Sequence, residues 1–426
     1  MEIFVHFFLS FSLCFHFLRS FLETMDSAVE KHCVELIALE RSGHTAVVKG
    51  NTLHVWGGYM STAGSEVFLP SEEIWLYDLE RGVWEMCQMS GEIPPPMSGT
   101  CSCFLNGHMF IFGGYDDMGQ TNQLYRVNLL DGDYSWRKVK AESGSPPSPR
   151  DKLCCWVFNN RVTYFENLPF CRVTYFGGYG HKTLDDIMDD KSFIVDTASL
   201  EQNVGWGWNN EVHVFETTLA SWMEPQTSGR APAPRAAHAG ATLGHKGYVY
   251  GGRVLETTPS DIHCLDLESW TWSEIVPTST VPGGRSWHSL TAVSDNTLFL
   301  FGGLNVDCKP MSDRWVLDVD TKTWREFDHP NNNKPRLWHT ASQAKDSDVI
   351  VFGGSCDYVL LVGTYENLKG HSNDALVFQT QPYPLFRICV DCIAKNVNNC
   401  KILQNQLPSL PRKLLEAVQR RTSRNI

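Results

Sequence analysis

Short runs of apolar β-formers recur along this chain, and six of them end in a glycine pair: Val55-Trp56-Gly57-Gly58, Ile111-Phe112-Gly113-Gly114, Tyr175-Phe176-Gly177-Gly178, Val249-Tyr250-Gly251-Gly252, Leu300-Phe301-Gly302-Gly303 and Val351-Phe352-Gly353-Gly354. Upstream of each lies a start motif, in its fullest form Arg-x-x-His, at Arg41, Met97, Arg150, Arg235, Arg285 and Arg336. Downstream comes an aromatic–aliphatic run that closes on Asp, then a late Trp; the stretch from Gly283 to Trp324 holds all four parts. Apolar runs this short, bounded by turn residues, predict strands. Four strands in a unit of roughly 50 residues, repeated six times, predict an all-β fold: a six-bladed β-propeller of four-stranded blades. Proline-rich links (Pro94 to Pro96, Pro146-Pro147, Pro232 and Pro234, Pro282, Pro335) fall between the units, where turns belong.

Start residue and first glycine are 16 or 17 residues apart in five repeats and 27 apart in the third. The third repeat carries Arg161-Val-Thr-Tyr-Phe165 and again Arg172-Val-Thr-Tyr-Phe176, a direct duplication offset by 11 residues. The second copy leads into the glycine pair and is expected to be the strand. The first is an extruded insert, a recent duplication or a gene-model error. A further insert, about 181–205, follows that glycine pair with six acidic residues and two lysines. The propeller is expected over 33–380, with residues 33–39 supplying the strand that completes the last blade, since the sixth repeat lacks the late Trp and an open sheet edge invites pairing.

Composition adds limits. With 426 residues, 42% of them hydrophobic, the chain can bury a large core, and one long domain with tails suits it better than three domains. A net charge of −12 argues against nucleic-acid binding. The 14 cysteines form no regular framework, which points to a reduced intracellular protein, cytoplasmic or nuclear. Residues 1–24 are apolar and Phe-rich but lack the basic start and small-residue cleavage site of a signal peptide. Their apolar run is short for a membrane span. They are read as an alternative or artefactual extension outside the fold, against a signal, an anchor or a packed segment; no membrane association is expected. After Thr380 the balance inverts: residues 381–426 hold eight Lys/Arg against two Asp/Glu, a net +6 that leaves −18 for the rest. This tail reads as helical, with Leu385, Cys389 and Ile393 on one face and Leu410, Leu414 and Val418 on another, and Pro411 at a helix start.

The repeats can be compared with one another: a residue they share is scaffold, and one that departs from them is a candidate for function. The start arginines, the late tryptophans and His44, His238, His288 and His339 are shared. They are read as inter-blade bonding groups, core packing and satisfied core histidines, not metal ligands. In a blade, the start of the first strand and the end of the second meet beside the central channel. After the glycine pairs stand Tyr59, Tyr115, Tyr179, Arg253, Leu304 and Ser355, of which only Arg253 is charged. At the third start-motif position stand Gly43, Gly99, Lys152, Ala237, Trp287 and Trp338, of which only Lys152 is charged. Ser286 adjoins Trp287, and Trp206 and Trp208 lie beyond the acidic insert. An aromatic-walled cavity with one or two fixed cations suits a narrow peptide end and its carboxylate.

The glycine pairs, the Tyr/Trp-x-x-Asp-like strands and the late Trp resemble kelch repeats over about 41–380. The runs PRDKLCCWVF, GYVYGGRVLET and FQTQPYPLFRICVDCIAKN are similar to the small kelch family of E3 ubiquitin-ligase substrate receptors. That resemblance implies a non-catalytic adaptor whose propeller reads C-terminal degrons of Gly-Gly type. It assigns the carboxylate to Arg253 and Ser286 and the pocket lining to Lys152, Tyr179, Trp208 and Trp287. The family has a second arginine shortly after its Gly-Gly-Arg; here Thr258 or Pro259 holds the place, so affinity or specificity is expected to shift. The tail resembles a BC-box (Leu385, Cys389, Ile393), which docks on elongin C with elongin B, followed by a cullin box (Leu410, Pro411, Leu414, Val418). Its form favours cullin-2 with a RING subunit and leaves cullin-5 open. Two other readings stand beside this one. The first is a kelch scaffold whose tail packs within the chain. The second is a kelch metalloenzyme, disfavoured because the histidines follow the repeat and no Glu-x-x-x-Asp-x-x-x-His motif occurs; Cys389-x-x-Cys392, with no second Cys/His pair nearby, is not read as a zinc site. No cofactor and no metal is expected.

Overall fold

The computed structural model describes residues 36–62, 65–160, 170–188, 190–199, 203–329, 333–357, 370–397 and 400–422. The chain divides into two compact units: Ile37–Leu79 with Trp84–Gln381, and Met1–Leu36 with Glu80–Val83 and Pro382–Ile426.

The first unit is a six-bladed β-propeller. Blade 5 shows the pattern: Ser289–Ser294, Thr297–Phe301, Arg314–Asp318 and Thr323–Glu326 form one antiparallel meander in chain order. Blade 1 has the same four strands, and blades 2 and 4 add a short parallel fifth from the preceding link, at Ser90–Gly91 and Ser228–Gly229. The Asp that closes the third strand makes the next turn: Asp318 Oδ1 accepts from the backbone N–H of Asp320 and Thr321, and Asp266 Oδ1 from Glu268 and Ser269.

In blade 3, Phe170–Thr183 pairs with Cys154–Asn160, so the second copy of the duplicated pentapeptide is the strand; the first copy, like residues 1–24, lies outside the described residues. The acidic insert is smaller than the sequence implied. The strand runs on to Thr183 and its partner begins at Val204, so Trp206 and Trp208 belong to a strand. Between them lie a helical turn, α1 (Leu184–Ile187), and a short strand, Phe193–Val195.

Blade 6 has three strands among the described residues, Thr340–Gln343, Asp348–Phe352 and Ala375–Gln379. Residues 36–40, the described part of the expected closing strand, carry no sheet pairing, and 33–35 lie outside the described residues. Ala38 instead sits fully buried among Leu53, Val55 and Trp75 of blade 1 and Ile350 and Phe352 of blade 6.

Aromatic rings fill the space between blades. The residue before each glycine pair meets the late Trp of the next blade: Trp56 with Trp136, Phe112 with Trp222, Phe176 with Trp272, Tyr250 with Trp324, at ring separations of 5.1 to 5.4 Å. In the sixth blade Phe378 takes the missing tryptophan's place, 4.8 Å from Phe301, and Trp84 of blade 1 closes the circle 4.7 Å from Phe352. Each such pair contributes about 0.5–1.5 kcal/mol beyond the area it buries.

The second unit contains helices α2 (Leu385–Val397), α3 (Lys401–Gln406) and α4 (Arg412–Thr422). Val390 from α2 and Ala417 and Val418 from α4 form its core, with Ile393, Leu407 and Leu414 against it, and Arg421 pairs with Asp391 across the two helices. Among the described residues, no helix is long and apolar enough to cross a membrane.

Candidate functional site

Two rings of backbone hydrogen bonds build the central channel. In the first, the N–H of each second glycine donates to the carbonyl of the next blade's start residue: Gly58 to Met97, Gly114 to Arg150, Gly178 to Arg235, Gly252 to Arg285, Gly303 to Arg336, and Gly354 back to Arg41, all at 2.8–2.9 Å. The start arginines therefore link blades through their carbonyls. Their side chains, expected to reach between blades, bond within their own. Arg285 donates to Gly302 O and to both oxygens of Asp313 (2.7 and 2.8 Å), and Arg235 does the same with Gly251 O and Asp261.

The second ring joins the six residues at the third start-motif position. Gly99 N–H donates to Gly43 O, Lys152 to Gly99, Ala237 to Lys152, Trp287 to Ala237, Trp338 to Trp287 and Gly43 to Trp338, at 2.8–3.1 Å. The bond geometry holds all six at φ between +53° and +68°, the left-handed region. Glycine takes that conformation freely, but Lys152, Ala237, Trp287 and Trp338 hold it at about 1–3 kcal/mol each. Three of these four strained positions carry the large side chains at the channel mouth.

The channel encloses about 240 Å³. Lys152 is the one charged side chain among the described residues that line it, beside Trp287, Trp338 and the four repeat histidines. Blades 3 and 6 face each other across a six-bladed ring, yet Lys152 Nζ lies 5.5 Å from the Trp338 ring as well as 5.9 Å from that of Tyr179. The ammonium is thus held over the mouth between two aromatic faces, and it also donates to Asp151 Oδ2 (2.5 Å). Trp338 stands 6.0 Å from Trp287 and 5.5 Å from Tyr59, and its indole occupies the space that a Cβ on Gly43 would enter. His371 extends this wall: it packs 5.0 Å from Tyr59 and bonds Ser42 Oγ through Nδ1 (2.6 Å) and Ser61 Oγ through Nε2 (3.0 Å).

The residue before each ring position pairs with the residue after a glycine pair in all six blades: Ser42 with Tyr59, Ser98 with Tyr115, Asp151 with Tyr179, Ala236 with Arg253, Ser286 with Leu304, Leu337 with Ser355. This brings Arg253 to the mouth, where its guanidinium serves its own loop. Nε donates to Leu255 O (2.9 Å), and Nη2 pairs with the exposed Glu256 at 3.3 Å. Ser286 is buried and its Oγ has no hydrogen-bond partner. Tyr179 donates to Asp196 Oδ2 (3.0 Å) and lies 5.2 Å from Trp208, which is buried behind it. Burial is the main cause that pushes the Tyr179 phenol up to about 12, so it stays a donor at neutral pH. Thr258 and Pro259 pack their backbone where a Cβ on Gly284 would fall.

In the helical unit, Leu385, Phe386 and Ile388 are about half exposed, and Cys389 and Ile393 are partly so. Of the second tail motif, Val418 is fully buried, Leu414 partly so, and the carbonyl of Pro411 accepts the first bonds of α4 from Leu414 and Leu415.

The KLHDC2/KLHL20/DRC7 Kelch-repeats domain matches residues 43–303 and 201–354. The chain is 48% identical to mouse Kelch domain-containing protein 1 over 386 residues, 90% of each chain. It is 38% identical to bovine Kelch domain-containing protein 2 over 391 residues, 91% of each. The chain belongs to this kelch-repeat family. The solved structure titled "Structure of YjhT" has the same fold, with a TM-score of 0.56 at 13% identity over 81% of this chain and 96% of that one. As a kelch propeller, the chain is an interaction module.

Of the six candidates, Lys152 and Trp287 line the channel; Ser286 precedes Trp287, Arg253 pairs with Ala236 beside the ring position, Tyr179 lies near Lys152 and Trp208 packs on Tyr179. The repeats pointed to Trp338 and Tyr59 among the aromatic channel-side residues without assigning either to the site, and Asp151 and His371 were not singled out. Trp338 shares the repeat position of Trp287 and Lys152, and Asp151 is the one acid at its position, so both carried a signal. His371 pairs with Ser355 as Phe68, Gln120 and Pro310 pair with Tyr59, Tyr115 and Leu304, but the spacing from the glycine pair differs in each repeat, so sequence alignment did not bring it out.

Proposed function

We propose that this protein is the substrate-recognition subunit of a cullin–RING ubiquitin ligase and that its propeller binds the C-terminal end of a partner protein. The observation that carries this reading is the ammonium of Lys152, held over a narrow channel between the rings of Trp338 and Tyr179. A chain terminus is the part of a protein slim enough to enter such a mouth and negative enough to be held there. Arg253 adds a second cation. Its pairing with the exposed Glu256 is worth about 0–1 kcal/mol, so a carboxylate that accepts both guanidinium edges replaces it readily. The unpartnered Ser286 hydroxyl supplies a further donor. Aromatic walls leave room for glycine near the end and little beyond, which favours Gly-Gly termini. The half-exposed Leu385, Phe386 and Ile388 support a docking role for α2 toward elongin C and elongin B, with cullin-2 or cullin-5 following, in the cytoplasm or nucleus. Ubiquitin transfer belongs to the other subunits.

The test is binding of the protein, copurified with elongins B and C, to a labelled peptide ending in Gly-Gly, against its C-terminal amide. Losing one charge-assisted bond costs about 1.5–3 kcal/mol, roughly ten- to a hundredfold in Kd. The amide, Arg253→Ala and Lys152→Met are each expected to lose that much. Equal binding of acid and amide would overturn the carboxylate pocket, and failure of the tail to bind elongins would leave the protein a kelch scaffold instead.

A further inference from the structure

The strand Cys101–Leu105 of blade 2 and the strand Cys154–Asn160 of blade 3 run side by side along the channel, and between them they carry four cysteines. None of the four is in a disulfide. Side chains alternate along a strand, so Cys101 and Cys103 share one face, buried in the cluster between blades 2 and 3 with Tyr175 and Phe112. Cys155 packs against that same cluster, while Cys154 points the other way, into the cluster between blades 3 and 4. The Cys155 thiol donates to Ser102 O at 3.5 Å, which places it beside Cys101 and Cys103 of the same cluster. Cys101 and Cys155 also line the channel, and Cys155 is the more exposed of the two.

The geometry points to a reversible oxidation site in the channel wall, at which Cys155 forms a disulfide with Cys101 or Cys103 when a small peroxide enters the channel. Geometry selects Cys155 as the common member. Cys101 and Cys103, two residues apart on one strand, are about 7 Å apart along it, beyond the usual span of a disulfide. Cys154 faces away from both. In the first step the Cys155 thiolate attacks one oxygen of hydrogen peroxide: the O–O bond breaks, an S–O bond forms, and hydroxide leaves as the reduced product. In the second, the thiol of Cys101 or Cys103 attacks that sulfur, the S–O bond breaks, and water leaves with the thiol's proton. The neighbouring Cys101 and Cys103 thiols can donate to a Cys155 thiolate, which lowers its pKa from the ordinary thiol value and favours it as the attacking group. The product would tie blades 2 and 3 together beside Lys152.

The experiment exposes the full-length reduced protein to hydrogen peroxide, alkylates the remaining thiols and maps the peptides by mass spectrometry. The expected result is a cross-linked pair of peptides, two hydrogens lighter than their sum, joining residue 155 to 101 or 103. Cys155 should lose alkylation about tenfold faster than Cys154, and dithiothreitol should restore it. Cys154→Ser should keep the cross-link and Cys155→Ser should abolish it. The proposal is overturned if Cys155 stays alkylatable under conditions that oxidise the exposed thiols, if it passes to the sulfinic acid without a cross-link, or if the cross-link persists in Cys155→Ser. Mapping the wild-type protein alone decides the first two outcomes, so the test does not depend on the variants folding.

Discussion

His44, His238, His288 and His339 turn their rings edge-on to Phe352, Phe176, Tyr250 and Phe301 of the preceding blade, at 5.2 to 5.5 Å. Each uses Nε2 for one hydrogen bond, to Thr340 Oγ1, Phe176 O, Tyr250 O and Ser289 Oγ respectively, and each leaves Nδ1 without a partner. Burial, reinforced by the Arg235 and Arg336 charges, lowers His238 and His339 to about 3, and His44 and His288 also fall well below their usual value. A histidine whose folded pKa is depressed binds its proton in the unfolded chain first. Its stabilising effect is whole above pH 6.5 and is lost as the pH falls from there toward 3. Carboxylates titrate lower, so from pH 6.5 to 5 the histidines dominate. The unfolding free energy should fall there, and His339→Gln should flatten the slope by about 1.4 kcal/mol per pH unit. Urea titrations at pH 7.5, 6 and 5 measure this; parallel slopes for variant and wild type would mean that His339 keeps its proton when buried. The histidines were legible as scaffold because they repeat, and Lys152 and Arg253 as candidates because they depart from the repeat. What holds those two cations was not legible. Glu256 meets Arg253 through a loop particular to blade 4, and Asp151 meets Lys152 because that residue adopts the left-handed conformation.

Within a blade, the start arginine fastens the first strand to the glycine turn and to the head of the third strand. Arg285 is fully buried, and its charge is answered by Asp313, whose carboxyl hydrogen bonds from that guanidinium hold below the usual carboxylate range. A buried pair of this kind is costly to break and cheaper to replace whole, because removing one partner strands the other's charge. Asp313→Ala should cost about 3–5 kcal/mol. The Arg285→Met, Asp313→Leu double variant should cost about 2–3 kcal/mol less than the two single variants summed. Urea midpoints of the four proteins give the cycle; additivity within about 0.5 kcal/mol would mean that Arg285 works through the carbonyls of Gly283 and Gly302 alone. Met97 fills the same place in blade 2 as a buried apolar residue, which shows that the carbonyl link to the preceding blade does not need the charge. The strand order of a blade could be read from the hydrophobic pattern because each run keeps its length. The continuation of blade 3 through Thr183 could not, since Gly180, Gly205 and Gly207 look like loop residues until their close approach to neighbouring backbone and side chains is seen.

A propeller is a circle, and one seam must be closed by residues far apart in sequence. The sequence pattern placed a strand there; the structure closes it with the two backbone rings, through Gly354 N–H to Arg41 O (2.8 Å) and Gly43 N–H to Trp338 O (3.0 Å). Ala38, the Trp84–Phe352 contact and the Ser42–His371 hydrogen bond complete the seam. Backbone bonds carry no side-chain signature, which is why the repeat pattern could not reveal them. This mode of closure has a consequence for the site. Trp338, which faces Lys152, lies over Gly43 on the other side of the seam, so strain at the seam reaches the mouth directly. Ala38→Glu places a carboxylate in the cluster of Leu53, Val55, Trp75, Ile350 and Phe352, and burial of a polar group without a partner costs about 2–7 kcal/mol. The variant should unfold at a lower temperature. In the fraction that stays folded, a Gly-Gly peptide bound at the proposed site should dissociate faster, because the Trp338 wall moves with blade 6. Val281→Glu, at an exposed position, is the control and should stay within about 0.5 kcal/mol of wild type. If Ala38→Glu lowers the melting temperature while the peptide's dissociation rate stays unchanged, the seam and the mouth are mechanically separate, and the ring through Gly43 and Trp338 serves the fold alone.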